Sequence, residues 1–344
     1  MSPRPDLLFD AATLDEARAF NRKLAWAPRF RIGNRVTPLL MQSLLRLSQW
    51  GADGKLARAG VRPDRRLAQA DGLQVPVRIL RGARAPRAVV LDFHGGGWAI
   101  GNAAMNDQLN AELIAACNVA VVSVDYRLAT HAPLDAIMDD CLAAARWLLG
   151  GGLPEFAGLP VYVVGESAGG HLAAATLLRL KAWPDLLARI AGAILYYGVY
   201  DLAGTPAVRQ AGADTLVLHG PSMRDSLRLL TPGMSDAQRR QAPRSPLYGD
   251  LAGMPPAFLC AGECDPLRDD TTLMAARWRA HAAVECHLLP AAPHGFIRFP
   301  TRMAAQARRR VHAWIDERLA QEATAAGAAR APLPVAATVP GVRG

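Results

Sequence analysis

Long apolar runs are missing from this chain. No stretch of about 18 uninterrupted apolar residues occurs, which predicts no membrane-spanning helix. The N-terminus, MSPRPDLLFDAATLDEARAF, carries acids at 6, 10, 15 and 16 and lacks a basic start followed by an apolar block. A secretory signal is therefore not expected, and a cytoplasmic location is the default expectation. Cysteine is scarce and odd in number: Cys117, Cys141, Cys260, Cys264 and Cys286 are the only five in 344 residues. That argues against a disulfide framework. Cys260 and Cys264 have CxxxC spacing, but no second pair of Cys or His stands near at ligand spacing, so reduced thiols are expected rather than a metal site. Lysine is confined to positions 23, 55 and 181, so the net charge of +9 rests on arginine. The arginines are scattered. Their one cluster, Arg308 to Arg310, lies in an amphipathic helix pattern and reads as a solvated face. No aromatics interleave with the charges, so no nucleic-acid partner is expected.

What is present is enough apolar material for a sizeable core: 51% of the residues are hydrophobic. QVPVRIL alternates, placing Val75, Val77 and Ile79 on one face of a half-buried strand. Short apolar runs follow at 88–93, 119–126, 161–165, 192–198, 257–262 and 284–290. Helical patterns lie between several of them, at 104–117, 134–149, 168–180, 270–282 and 302–320. Strands alternating with helices predict an α/β fold with a mainly parallel sheet covered on both faces. The first 60 residues read as helical, without a strand. Residues 202–250 break the alternation and read as an inserted, mostly helical excursion. The two segments are expected to pack together as a cap over the carboxyl edge of the sheet. The catalytic domain is then 61–321, and the Ala/Pro-rich 322–344 is expected to be a disordered tail.

Residues 165–170 read GESAGG, between an apolar run and a helix pattern. A Gly-x-Ser-x-Gly turn between strand and helix is a nucleophile elbow: glycines let the turn close, and Ser167 is exposed at a helix N-terminus that favours negative charge. The bland alternative is a glycine-rich turn capped by Ser167. His94-Gly95-Gly96-Gly97-Trp98 follows the strand at 88–93. Its glycines let backbone N–H groups approach a ligand, and the N–H of Ala168 supplies another donor for an oxyanion. His94 is read as orienting this loop rather than as a proton carrier. Trp98 either borders the substrate pocket or packs under the loop. Gly95 and Glu166 are assigned to support.

A base and an acid must follow the serine in chain order. Of the late histidines, His281 and His312 lie in helix patterns and His287 lies within a strand. Only His294, in PAAPHGFIRF, stands in a loop just past a strand. Asp265 lies on the loop after the strand AFLCAG and is the favoured acid, whose role is to hold the imidazole tautomer and stabilise the imidazolium. Asp201 is the alternative. Asp269 and Asp270 read as helix-start residues.

In this order HGGGW, DYRLA, GESAGG, DPLRDD and HGF resemble the hormone-sensitive-lipase-like carboxylesterases of the α/β-hydrolase superfamily, over residues 75 to 318. The resemblance implies a sheet of about eight strands with a cap built from the N-terminal helices and a later insert. It implies Ser167, Asp265 and His294 as a triad, Gly96, Gly97 and Ala168 as the oxyanion hole, and short- to medium-chain esters as substrates. The sequence leaves open which two of the three glycines point inward. The resemblance also implies a homodimer through the final strand and helix, and chemistry that needs no cofactor. After DYRLA the family continues Pro-Glu-His-Pro, whereas this chain has Thr130-His131-Ala132-Pro133; that change bears on loop rigidity, not on reaction class. Asp125, Tyr126 and Arg127 match the motif and are expected beneath the site. HGGGW also resembles the HGGxW of arylformamidases, so amide or formamide hydrolysis is the alternative activity. A non-catalytic ligand receptor on this fold is a further one.

Overall fold

The apolar runs pair into one sheet. The computed structural model describes residues 7–31 and 36–330. Its strands are β1 (Arg62–Ala70), β2 (Leu73–Arg81), β3 (Val89–Phe93), β4 (Ala120–Val124), β5 (Val161–Glu166), β6 (Ile190–Tyr196), β7 (Ala257–Gly262) and β8 (Val284–Leu289). The sheet order is β1-β2-β4-β3-β5-β6-β7-β8. The β1–β2 and β2–β4 pairs are antiparallel and all others are parallel. Every residue of β3, β4 and β7 is buried, as strands sandwiched between helix layers must be.

The helices are α1 (Ala11–Leu24), α2 (Val36–Ser48), α3 (Ala52–Arg58), α4 (Asp107–Cys117), α5 (Leu134–Leu149), α6 (Ala168–Leu180), α7 (Pro184–Leu187), α8 (Pro206–Gln210), α9 (Met223–Leu230), α10 (Asp236–Arg239), α11 (Arg268–Arg279) and α12 (Arg302–Arg330). Alternate residues of each strand feed opposite faces. Val89, Leu91 and Phe93 pack with α5, α6 and α11 in one core layer. Val90 packs with α4 and α12 in the other.

Three expectations are corrected. β1 was not foreseen, because as an outer strand it buries only Ala68 fully and therefore shows no alternation. Residues 202–250 contain the short helices α8, α9 and α10 and two single 3₁₀ turns, Gly220–Ser222 and Pro246–Tyr248, joined by irregular chain, so "mostly helical" overstates them. Helix α12 continues through Arg330, past the expected tail boundary at 321. Alanine is the strongest helix former, so the alanine-rich EATAAGAAR extends the helix by its local propensity. Residues 331–344 lie outside the described residues.

The N-terminal segment meets the insert directly. Phe30 forms a parallel bridge with Leu218: its N–H donates to Val217 O at 2.6 Å, and His219 N–H donates to Phe30 O at 2.9 Å. Arg29 Nε adds a bond to Thr215 O at 2.6 Å. The side chain of Gln42 in α2 donates to Gly101 O at 2.9 Å and accepts from Gly101 N at 2.8 Å, fastening that helix to the loop after the three glycines.

Candidate active site

Ser167 sits between β5 and α6 with φ 54° and ψ −119°, a conformation that non-glycine residues rarely adopt. Such strain costs on the order of 1–3 kcal/mol and persists only where the surroundings enforce it. Here the bond from Ser167 N to Tyr196 O, 2.9 Å, and the start of α6 at Ala168 enforce it. The flanking glycines are needed for space. A Cβ at Gly165 would stand 2.2 Å from Gly169 O, and one at Gly169 would stand 1.9 Å from Phe93 O.

The loops after β7 and β8 bring two more side chains to this corner. His294 Nε2 lies 2.9 Å from Ser167 Oγ. Its Nδ1 lies 2.9 Å from Asp265 Oδ2. Asp265 is fully buried, and its other oxygen accepts the Leu267 N–H at 2.8 Å. With Nδ1–H donated to the carboxylate, Nε2 is free to accept the serine proton. The Tyr197 ring meets His294 edge-on at 4.8 Å and limits its tilt. Asp201, the alternative acid, is engaged elsewhere: its carboxylate accepts Tyr248 OH at 2.9 Å and Ala203 N at 2.8 Å. Asp270, in the first turn of α11, ties down the segment after β6 by accepting from Tyr200 N, Asp201 N and Thr205 Oγ1.

The glycine loop borders the same space. Gly96 and Gly97 adopt φ of 105° and 59°, turning the backbone sharply. Among the described residues, no backbone carbonyl accepts their N–H groups. The N–H of Ala168, first in α6, has no intrahelical acceptor by geometry. His94 is buried under the loop, stacked on Tyr126 at 4.1 Å, and its Nδ1 donates to Gly95 O at 2.8 Å. Burial pushes the His94 pKa down to about 4, so the ring is neutral at physiological pH. Trp98 does both things asked of it: it lines the cavity, and its Nε1–H donates to His171 Nδ1 at 3.2 Å. Asp125 accepts from Ala103 N at 3.2 Å, and Arg127 pairs with Asp140 at 2.7 Å, both holding the loops below. Thr130, in the departed motif, lines the cavity wall.

Arg298, beside Ser167's neighbour Glu166, escaped the sequence reading. Glu166 is buried beside Ser167, and Arg298 covers it: Arg298 Nε lies 2.9 and 3.0 Å from its two oxygens, and Nη2 also contacts it. Tyr197 OH adds a bond to Glu166 at 3.0 Å. Arg298 Nη1 donates to Met105 O at 3.1 Å, and Nη2 reaches Asn106 Oδ1. Burial alone would raise the Glu166 carboxyl. The Arg298 charge, with bonds from Arg298 and Tyr197, overcomes this and holds it below the usual range. A buried carboxylate after Gly165 demands a counter-charge, which was the available signal. With 39 Lys and Arg in the chain, sequence did not single out which one.

Arg298→Met is expected to lower stability by about 3 kcal/mol, because it leaves the buried Glu166 carboxylate without its counter-charge. The sign with pH follows. In the parent chain the Glu166 pKa is depressed, so the pair stabilises above the unfolded carboxyl pKa and fades as pH falls below it. In the variant, burial would raise that pKa, and stability would fall as pH rises through it. The melting-temperature gap between variant and parent should therefore be widest at pH 8 and narrow toward pH 5. A gap independent of pH would overturn the assignment.

Comparison with known proteins identifies the family. A family model described as alpha/beta hydrolase fold matches residues 90–298. Carboxylesterase NlhH of Mycobacterium tuberculosis is 34% identical over 249 residues, covering 69% of this chain and 76% of that protein. The crystal structure of esterase LipW from Mycobacterium marinum superposes with a TM-score of 0.77 at 27% identity, covering 89% of this chain and 96% of LipW. A hormone-sensitive lipase from a metagenome library superposes with a TM-score of 0.69 at 26% identity, covering 88% and 98%. The chain belongs to the hormone-sensitive-lipase-like family of α/β-hydrolases.

Proposed function

We propose that this chain is a serine carboxylesterase acting through an acyl-enzyme on Ser167. The observation that carries the reading is the unbroken relay from Asp265 through His294 to Ser167, with both bonds at 2.9 Å, opening into an apolar cavity. Ser167 Oγ attacks the ester carbonyl while His294 Nε2 takes its proton, and Asp265 stabilises the imidazolium. The N–H groups of Gly96, Gly97 and Ala168 hold the tetrahedral oxyanion, each worth on the order of 3 kcal/mol in the barrier. His294 then protonates the departing alcohol. A water activated by the same ring releases the acid.

The cavity over Ser167 measures about 530 Å³. Phe30, Val217, Leu218, Met223, Leu227 and Leu230 are among its walls, so the N-terminal segment and the insert act as one cap. That volume suits a small apolar ester. In this reading residues 1–60 and 202–250 form the cap and 61–321 the catalytic domain. β8 ends the sheet, and Arg310 of α12 pairs with Glu285 of β8 at 2.6 Å; this edge is where a homodimer would form.

Hydrolysis of p-nitrophenyl esters of increasing acyl length tests the proposal. Each buried methylene contributes about 0.8 kcal/mol, so kcat/KM should rise roughly fourfold per carbon until the cavity is filled. It should then fall for the longest chains. Inertness toward every ester, with turnover of N-formyl aromatic amines instead, would replace this reading with formamide hydrolysis.

A further inference from the structure

Helix α2 turns its leucines to water. At 100° per residue, Leu39, Leu40, Leu44 and Leu47 share an arc of about 140°. Leu40 is 61% exposed and Leu47 64%. The opposite side docks, through buried Pro38 and the Gln42 clasp on Gly101. Trp50, two residues beyond the helix, is 84% exposed, and Trp26, just after α1, is 91% exposed. A surface helix ordinarily buries its apolar stripe and shows its polar one; this helix is reversed.

The surrounding charge is of one sign. Residues 17–52 contain seven Arg or Lys and no Asp or Glu. Arg22, Lys23, Arg31 and Arg46 are exposed, and none of the four forms an ion pair among the described residues. The apolar surface also runs into the cavity. Phe30, Arg31, Pro38 and Leu229 line it, and Leu229 is itself largely exposed.

We propose that this face is a peripheral binding surface for anionic phospholipid bilayers. Exposed Leu and Trp beside unpaired Lys and Arg match the boundary between acyl chains and headgroups. Each basic residue near an anionic surface adds about 1 kcal/mol of attraction. No helix among the described residues is long and apolar enough to cross a membrane, so the contact is superficial. A second copy of the chain is the poorer occupant: a two-fold contact through this segment would set basic residues against basic residues with no acid between them. Seated this way, the cavity mouth lies at the bilayer surface, where apolar esters concentrate. That consequence rests on the esterase reading, but the binding does not, so the two can fail separately.

The test is flotation of the full chain with vesicles of phosphatidylcholine alone and of phosphatidylcholine with an equal part of phosphatidylglycerol. The bound fraction should be at least about tenfold higher on the anionic vesicles and should fall in high salt. The triple variant Leu40→Ser, Leu44→Ser, Leu47→Ser should lose about tenfold or more of this binding while its turnover of dissolved p-nitrophenyl butyrate stays at the parent value. A second variant, Arg22→Glu with Lys23→Glu and Arg46→Glu, should lose the preference for anionic lipid. Equal binding to both vesicle types, or a triple variant that binds like the parent, overturns the proposal. So does a parent that ignores vesicles but forms a dimer in solution that the triple variant lacks; the face would then join two copies.

Discussion

Ser167→Ala is expected to hydrolyse p-nitrophenyl butyrate about 10⁴- to 10⁶-fold more slowly than the parent chain at saturation, with its melting temperature nearly unchanged. The oxygen removed makes one hydrogen bond, to His294 Nε2 at 2.9 Å. The backbone strain at φ 54° is the same for alanine as for serine, so the substitution neither relieves nor adds any. Oxyanion donors and the apolar walls survive, which is why a residual rate above that in water should remain. The parent should also release a burst of nitrophenolate equal to the number of sites, and the variant none. A loss below tenfold in a folded variant would remove Ser167 from the chemistry.

Asp265→Asn should cost nearly as much, about 10⁴-fold in kcat. The two oxygens of Asp265 have different partners: Oδ1 accepts the Leu267 N–H and Oδ2 faces His294 Nδ1. A backbone N–H cannot become an acceptor. An asparagine must therefore turn its carbonyl oxygen to Leu267 and its NH₂ to His294. That forces Nδ1 to accept and puts the ring proton on Nε2, where it points at Ser167 and cannot take a proton from it. Asp201→Asn is the matched control and should change kcat by only a few-fold, because that carboxylate serves Tyr248 and Ala203. A proton inventory by NMR of the His294 ring would show the tautomer directly. If Asp265→Asn retained parent activity, or Asp201→Asn lost it, the acid would have to be reassigned.

What could be read from sequence was whatever depends on neighbours along the chain. Strands β2 to β8 announced themselves because burial on one or both faces leaves apolar runs. Ser167, Asp265 and His294 stood out because each follows a strand and sits in a loop with glycine or proline nearby. β1 was silent because an outer strand with one fully buried residue has no periodicity to show. The Arg298–Glu166 pair was silent for another reason: its partners are 132 positions apart, and nothing local marks which arginine will arrive. The bridge between Phe30 and Leu218 is of the same kind. The insert at 202–250 was expected from a break in the alternation, while its contact with the N-terminal segment belongs to the third dimension.

Ser167 and His294 lie 127 residues apart in the chain, and this separation has a consequence during synthesis. At roughly 10 residues per second, the ribosome delivers Ser167 about 13 seconds before His294. The strands arrive nearly in the order in which they are laid down across the sheet, from β5 through β6 and β7 to β8. The elbow can therefore form once β3, β5 and β6 are in place, with Ser167 held by Tyr196 O but with His294 still to arrive. In the proposed mechanism the acyl-transfer centre is complete only once the loop after β8 docks. On the proposed mechanism, a nascent or truncated chain ending before residue 294 would carry a shaped but inert serine, so delivery of the loop after β8 is the step that arms it.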